Sequence, residues 1–189
     1  DMKMRIDRRA SEELDDLPEC ELLPHSAQNG GCSIEDLRLC QSDIDDDECA
    51  EFMKALHVNK SLKRLDLSHN LIGSREEECA VFPSFVTGGR AVARMLAVNT
   101  TLTDLNLSWN KIRKDSALSL VKCLARNRTI TALNISNNNI GDYAVQHLAN
   151  ALRTNNAMTF LDISYNGVLP KGAIVMAHAL EENKSMLDC

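Results

Sequence analysis

Five segments of the chain are versions of one another. They begin at Ile34, Leu62, Leu102, Ile130 and Met158, at spacings of 28, 40, 28 and 28 residues. LKRLDLSHNLI, LTDLNLSWNKI, ITALNISNNNI and MTFLDISYNGV share the frame L-x-x-L-x-L-x-x-N-x-I. The first, IEDLRLCQSDI, fits least well, with Ser42 where the others carry Asn. A sixth begins at Met186 and runs only to Cys189. A period of this length restricts the chain to folds made by stacking, because one such unit cannot bury its own apolar face.

Within the unit, the L-x-L alternation describes a short strand with one buried face. The Asn that follows (Asn70, Asn110, Asn138, Asn166) stands where the chain must turn away, a corner suited to its tolerance of unusual backbone angles. The second half has helical spacing. Ala117, Leu120 and Leu124 recur at i, i+3 and i+7, as do Val145, Leu148 and Leu152, and Ala173, Met176 and Leu180. A further Asn (Asn59, Asn99, Asn127, Asn155, Asn183) ends each helix, as a left-handed C-terminal cap would. Stacked units then give an α/β solenoid, with a parallel sheet inside and helices outside.

The 28-residue unit resembles the leucine-rich repeat of ribonuclease inhibitor, Ran GTPase-activating protein and the NOD-like receptors. The resemblance covers residues 33–189 and implies a horseshoe that binds proteins on its concave face. LNLSWNKIR and LDISYNG also resemble chains of the leucine-rich repeat-containing protein 74 type, which would imply a cilium-associated role. Residues 1–32, broken by Pro18, Pro24 and Gly30-Gly31, are read as an acidic leader or polar cap, with a short helical stretch over 9–17. An end at Cys189, inside a strand, would bare an apolar coil edge, so the sequence predicts continuation or a covering molecule. The second unit holds twelve extra residues within 74–88, between strand and helix. Insertions in repeat proteins map to loops on one face, often the binding face.

Charge and composition exclude several functions. Residues 1–50 carry five basic and fifteen acidic side chains, a balance of −10, against sixteen and twelve in the remainder, +4. That argues against nucleic acid, which requires clustered Lys and Arg. No apolar run is long enough to span a bilayer. Seven Cys without a C-x-x-C pair read as reduced thiols of a cytoplasmic protein. The six N-x-S/T matches at Asn59, Asn99, Asn106, Asn127, Asn134 and Asn183 arise from the repeat itself. The acidic run at 43–48 fails as a calcium loop, having Glu48 where Gly is needed and Lys54 where Glu is needed; its acids suit a helix N-terminus. None of the five His (His25, His57, His69, His147, His178) lies beside a nucleophile in a recognised motif. No catalytic residue, metal, cofactor or small-molecule substrate is expected.

The expected partner is a protein. The outward columns of the repeat supply Arg64, Asp104 and Phe160 at position three, Asp66 and Asp162 at position five, and His69, Trp109 and Tyr165 at position eight. Exposed aromatics are enriched at the centres of protein interfaces, so these eight form the candidate patch, while the serines at position seven read as structural. Phe82 and Phe85 in the insertion either fold back or touch a partner. Two other functions are carried. The segment could be a spacer between binding repeats. Alternatively, Phe85-Val86-Thr87-Gly88-Gly89-Arg90 resembles the arginine-bearing string of Ran GTPase-activating protein, and an arginine supplied in trans could assist phosphoryl transfer.

Overall fold

The computed structural model describes residues 3–5, 33–82 and 84–186. The expected helix over 9–17 and the last three residues of the partial sixth repeat lie outside them. Strand β1 (Lys3–Arg5) lies beside five strands at identical repeat positions: β2 (Asp36–Arg38), β3 (Arg64–Asp66), β4 (Asp104–Asn106), β5 (Ala132–Asn134) and β6 (Phe160–Asp162). They form one parallel sheet in sequential order, with Leu37, Leu65, Leu105, Leu133 and Leu161 aligned column on column. A helix follows each strand from β2 to β6: α1 (Asp46–Leu56), α3 (Gly88–Leu96), α4 (Lys114–Leu124), α5 (Gly141–Leu152) and α6 (Pro170–Glu182). The insertion adds a single turn, α2 (Glu78–Val81). This is the expected leucine-rich-repeat solenoid.

The apolar frame is the core. Leu102, Leu105, Leu107 and Ile112 are all buried, as are their counterparts in the flanking coils, against Val92, Met95, Leu120 and Leu124 from the helices. Each such side chain contributes roughly 1.5–3 kcal/mol relative to exposure. The expected helical faces hold for α4 and α5. In α6, however, Ala173 is exposed and Leu180 only half-buried. Among the described helices α6 packs on α5 alone, so the described residues leave part of its apolar face uncovered.

Two asparagine ladders tie the coils. In the first, Asn110 lies behind the strand ends. Its Nδ2 donates to the carbonyls of Leu67 (2.9 Å) and Leu107 (3.0 Å), and its Oδ1 accepts the N–H of Ile72 (3.1 Å). Asn70, Asn138 and Asn166 repeat the pattern. In the second, Asn99 donates to Leu56 O (2.8 Å) and accepts from the N–H groups of Thr101 and Leu102, both at 2.9 Å. This second set corrects the expected helix caps. Positive φ among non-glycine described residues belongs to Gln41, Asp43, His69, Trp109, Lys114, Asn137 and Tyr165, not to Asn59, Asn99, Asn127, Asn155 or Asn183. These asparagines use their side chains to close a turn, and Asn99, Asn127, Asn155 and Asn183 also bridge two coils, which requires no left-handed backbone.

The acidic run is resolved residue by residue. Asp45 caps α1, accepting from Asp47 N–H (2.9 Å) and Glu48 N–H (3.1 Å), while Glu48 returns a bond to Asp45 N–H (3.2 Å). Such a capping box is worth about 1 kcal/mol. Asp46 is fully buried, and its carboxylate accepts the N–H groups of Gly73 (2.8 Å), Arg75 (2.8 Å) and Gly88 (2.6 Å). It thereby holds both ends of the insertion. Glu76, also buried, bonds the N–H (3.0 Å) and hydroxyl of Ser116 in the first turn of α4.

Candidate functional site

The outward surface follows from how the strands end. At position five, Asp66, Asn106, Asn134 and Asp162 each accept the N–H of the serine two residues on, at 2.9–3.1 Å. At position eight, the N–H of Trp109 donates to Ser136 O and that of Asn137 to Ser164 O, extending the coil-to-coil bonding past the strand. The chain then reverses into the asparagine ladder. That reversal falls on position eight itself. Gln41, His69, Trp109, Asn137 and Tyr165 all have φ between +53° and +56°. A left-handed backbone costs a bulky residue about 1–2 kcal/mol, and here five coils adopt it. The side chains are thereby thrown outward: Trp109 is 54% exposed and Tyr165 80%. The sequence pointed to column eight as variable and aromatic; its backbone state was assigned instead to the following Asn.

The predicted residues gather in three groups. His69 and Trp109 stack face to face, ring centres 5.2 Å apart and planes 9° from parallel. Asp104 and Phe160 line a shallow trough of about 190 Å³ on the open sheet face, together with Asn106, Ala132 and Asn134. Phe160 is 54% exposed. Tyr165 stands beyond Asn137, beside the uncovered flank of α6 with Met176 and Leu180. The polar candidates also bond within or between coils. Arg64 is exposed and pairs with Asp36 (Nε to Oδ2, 3.1 Å). Asp66 and Asp162 hold the serine turns already described. Asp104 accepts the Thr103 hydroxyl. Three position-seven serines, Ser68, Ser108 and Ser136, are buried as expected, and Ser164 is exposed.

The insertion forms a second concavity that sequence reasoning missed. Its two phenylalanines differ: Phe82 is 58% exposed, and Phe85 is half-buried beneath the Arg75 guanidinium, 4.6 Å above the ring. Arg75 also pairs with Glu78 (2.6 Å) and Asp47. The bond to Arg75 holds the Glu78 carboxyl below its ordinary range. Between this rim and helices α1 and α3 runs a groove of about 970 Å³. Met53, Ala91, Phe85 and Val86 contribute apolar walls. No local pattern could have revealed it, since α1, the insertion and α3 meet only through the stacking. The string at 85–90 is absorbed by packing. The Thr87 hydroxyl bonds Ser116, Gly88 lies against Ile72 and Asp46, Gly89 lies against Ser116, and Arg90 on α3 pairs with Asp115 at 3.2 Å.

Cys40, Cys49 and Cys123 are free thiols. Burial pushes the Cys49 and Cys123 thiols up to about 12, which favours the protonated form of both. Among the described residues no cluster of His, Cys, Asp or Glu could hold a metal ion. No helix among them is long and apolar enough to cross a membrane.

A family model described as Leucine Rich repeat matches residues 58–75, 98–121, 126–149 and 154–177. The poorly fitting first segment is outside the match. A search of curated proteins gave no match. Among solved structures, the chain is similar to leiomodin-1 actin-binding site 2, with 24% identity, TM-score 0.63, and 79% of this chain and 80% of that one covered. It is also similar to the tropomodulin C-terminal domain from Caenorhabditis elegans, with 13% identity, TM-score 0.63, and 82% and 87% covered. At these identities the likeness is one of fold.

Proposed function

Because this chain is a leucine-rich-repeat protein, we propose that it is a non-catalytic cytoplasmic module that recognises a protein partner through its open sheet face and the position-eight ridge beside it. The observation that carries this reading is the ridge. Large aromatics held outward on a left-handed backbone contribute no core packing at that position. Their exposure favours recognition over a pure spacer role, in which column eight would have no reason to hold the chain's Trp. The stacked His69–Trp109 pair, Phe160 and Tyr165 supply apolar anchors of the kind that dominate interfaces. Asp66, Asp104 and Asp162 leave the polar surroundings acidic beside Arg64, so the matching partner presents apolar side chains flanked by basic ones. The rigid coil stack lowers the ordering cost of binding.

The test is a comparison of the wild-type chain with a Trp109→Ala/Tyr165→Ala variant in capture from cytosolic lysate. Co-sedimentation with filamentous actin is a separate arm, chosen because a similar fold is titled an actin-binding site. Each aromatic is expected to contribute on the order of 2 kcal/mol, or about 30-fold in affinity. A partner held by the wild type and lost from the folded variant supports the reading. Equal capture by both, or by neither, overturns it.

A further inference from the structure

We propose that the groove between α1, α3 and the insertion receives one amphipathic helix of a partner protein, lying antiparallel to α1 and α3. The proposal concerns the helix side of the solenoid and does not rest on the sheet-face reading.

Its first support is the make-up of the walls. Met53, Val86 and Phe85 give an apolar floor, and Phe82 projects from the rim with more than half its surface in solvent. The flanking α1 has 11 residues, a length of about 16 Å, or three turns. Two of the walls, α1 and α3, are helices, whose backbone groups are already bonded. Along these two walls an extended segment would find no strand edge among the described residues and would leave N–H and C=O groups unmatched, whereas a helix arrives with them satisfied.

Charge sets the direction. α1 and α3 run the same way, because each follows a strand of one parallel sheet. Where they begin, the groove carries Asp47 and Glu48, with Glu78 across from them, and Glu51 stands at the middle of α1. Arg75 is the one base at that end and is paired with Asp47 and Glu78. Where the helices end, the groove carries Lys54, His57 and Arg94. Lys54 reaches Glu51 only in an exposed pair of little strength. The groove is therefore acidic at one end and basic at the other. Helices themselves favour acids in the first turn and bases in the last. A partner helix running parallel would set like charge against like. Running antiparallel, it places its acidic start beside Lys54 and Arg94 and its basic end beside Asp47 and Glu48.

A displayed library of amphipathic helices of ~16 residues, long enough to form in water, tests this when panned against the full chain. The expected binders carry acids near their N-terminus, bases near their C-terminus and an apolar stripe between. Phe82→Ser, an exposed change, should weaken them roughly tenfold or more, and Trp109→Ala should leave them unchanged. Arg94→Glu should weaken them similarly, and a peptide with lysine replacing its N-terminal acid should recover binding to that variant alone. Recovery of this kind also establishes that the variant is folded. Failure to select binders sensitive to Phe82→Ser, binders of reversed polarity, or failure of the lysine peptide to recover binding overturns the proposal.

Discussion

Asn110→Ala should be among the most damaging single changes in this chain that leave the apolar core untouched. Its Oδ1 is the acceptor for the buried N–H of Ile72, and its Nδ2 serves the carbonyls of Leu67 and Leu107. The losses are unequal. Leu67 O is also served by Asn70 and Leu107 O by Asn138, so each carbonyl keeps one partner. The Ile72 N–H keeps none. An orphaned buried donor costs about 1–3 kcal/mol, and each of the two bonds lost from a still-partnered carbonyl about 0.5–1.5 kcal/mol. The sum is roughly 4 kcal/mol, a large fraction of the stability of an ordinary domain. Urea unfolding followed by far-ultraviolet circular dichroism gives the loss, with the exposed Lys111→Ala as a control expected within about 0.5 kcal/mol of wild type. Native-state amide exchange adds a local signature, since the Ile72 amide should exchange faster while that of Ile112, held by Asn138 at 3.0 Å, should be affected only through global stability. A loss below about 1 kcal/mol, or an Ile72 amide as protected as before, would refute the claim that this ladder holds the coils together.

Two glycines separate backbone strain from crowding. Gly73 has φ +89°, and a Cβ there would stand 2.5 Å from Lys111 O, whereas Gly141 has φ +71° with nothing within 4 Å. Gly141→Ala should cost about 1 kcal/mol and Gly73→Ala about 3 kcal/mol; equal melting points for the two variants would contradict this. The carboxyls of Glu35, Glu77 and Glu78 are lowered by hydrogen bonds to Lys63, Lys114 and Arg75. A lowered folded-state value gives stability that is present at neutral pH and lost as pH falls through the carboxylate range. The thermal midpoint should therefore fall on acidification, and these surface pairs should matter less in high salt; a midpoint that rises would reverse the assignment.

The frame of apolar residues was readable because it is one-dimensional: Leu102, Leu105, Leu107 and Ile112 announce a buried column by spacing alone. So was the placement of Trp109 and Tyr165 on the outside. What escaped depends on which atom of a residue is used. Asn110 marks the turn correctly, yet the strained backbone belongs to Trp109, because the asparagine amide is committed to neighbouring coils. Asn99 looked like a helix cap and is a bridge. Asp46 read only as one of the acids suited to a helix N-terminus, and Glu76 as part of the insertion. Both are buried because the insertion brings N–H groups to Asp46 and carries Glu76 to that of Ser116, across up to 42 residues of sequence, and composition carries no trace of that. The groove is illegible for the same reason, being made where three segments distant in sequence come side by side.

The left-handed turn at position eight separates two tasks that most surfaces must share. The same backbone recurs there whatever the side chain, with five different residues at Gln41, His69, Trp109, Asn137 and Tyr165, and at Gln41 even without the ladder asparagine or the serine. Chemistry at the ridge can therefore be exchanged one coil at a time without rewriting the core beneath it. Such a scaffold works as a row of interchangeable type: a new word is set by changing the letters, and the press stays as it was.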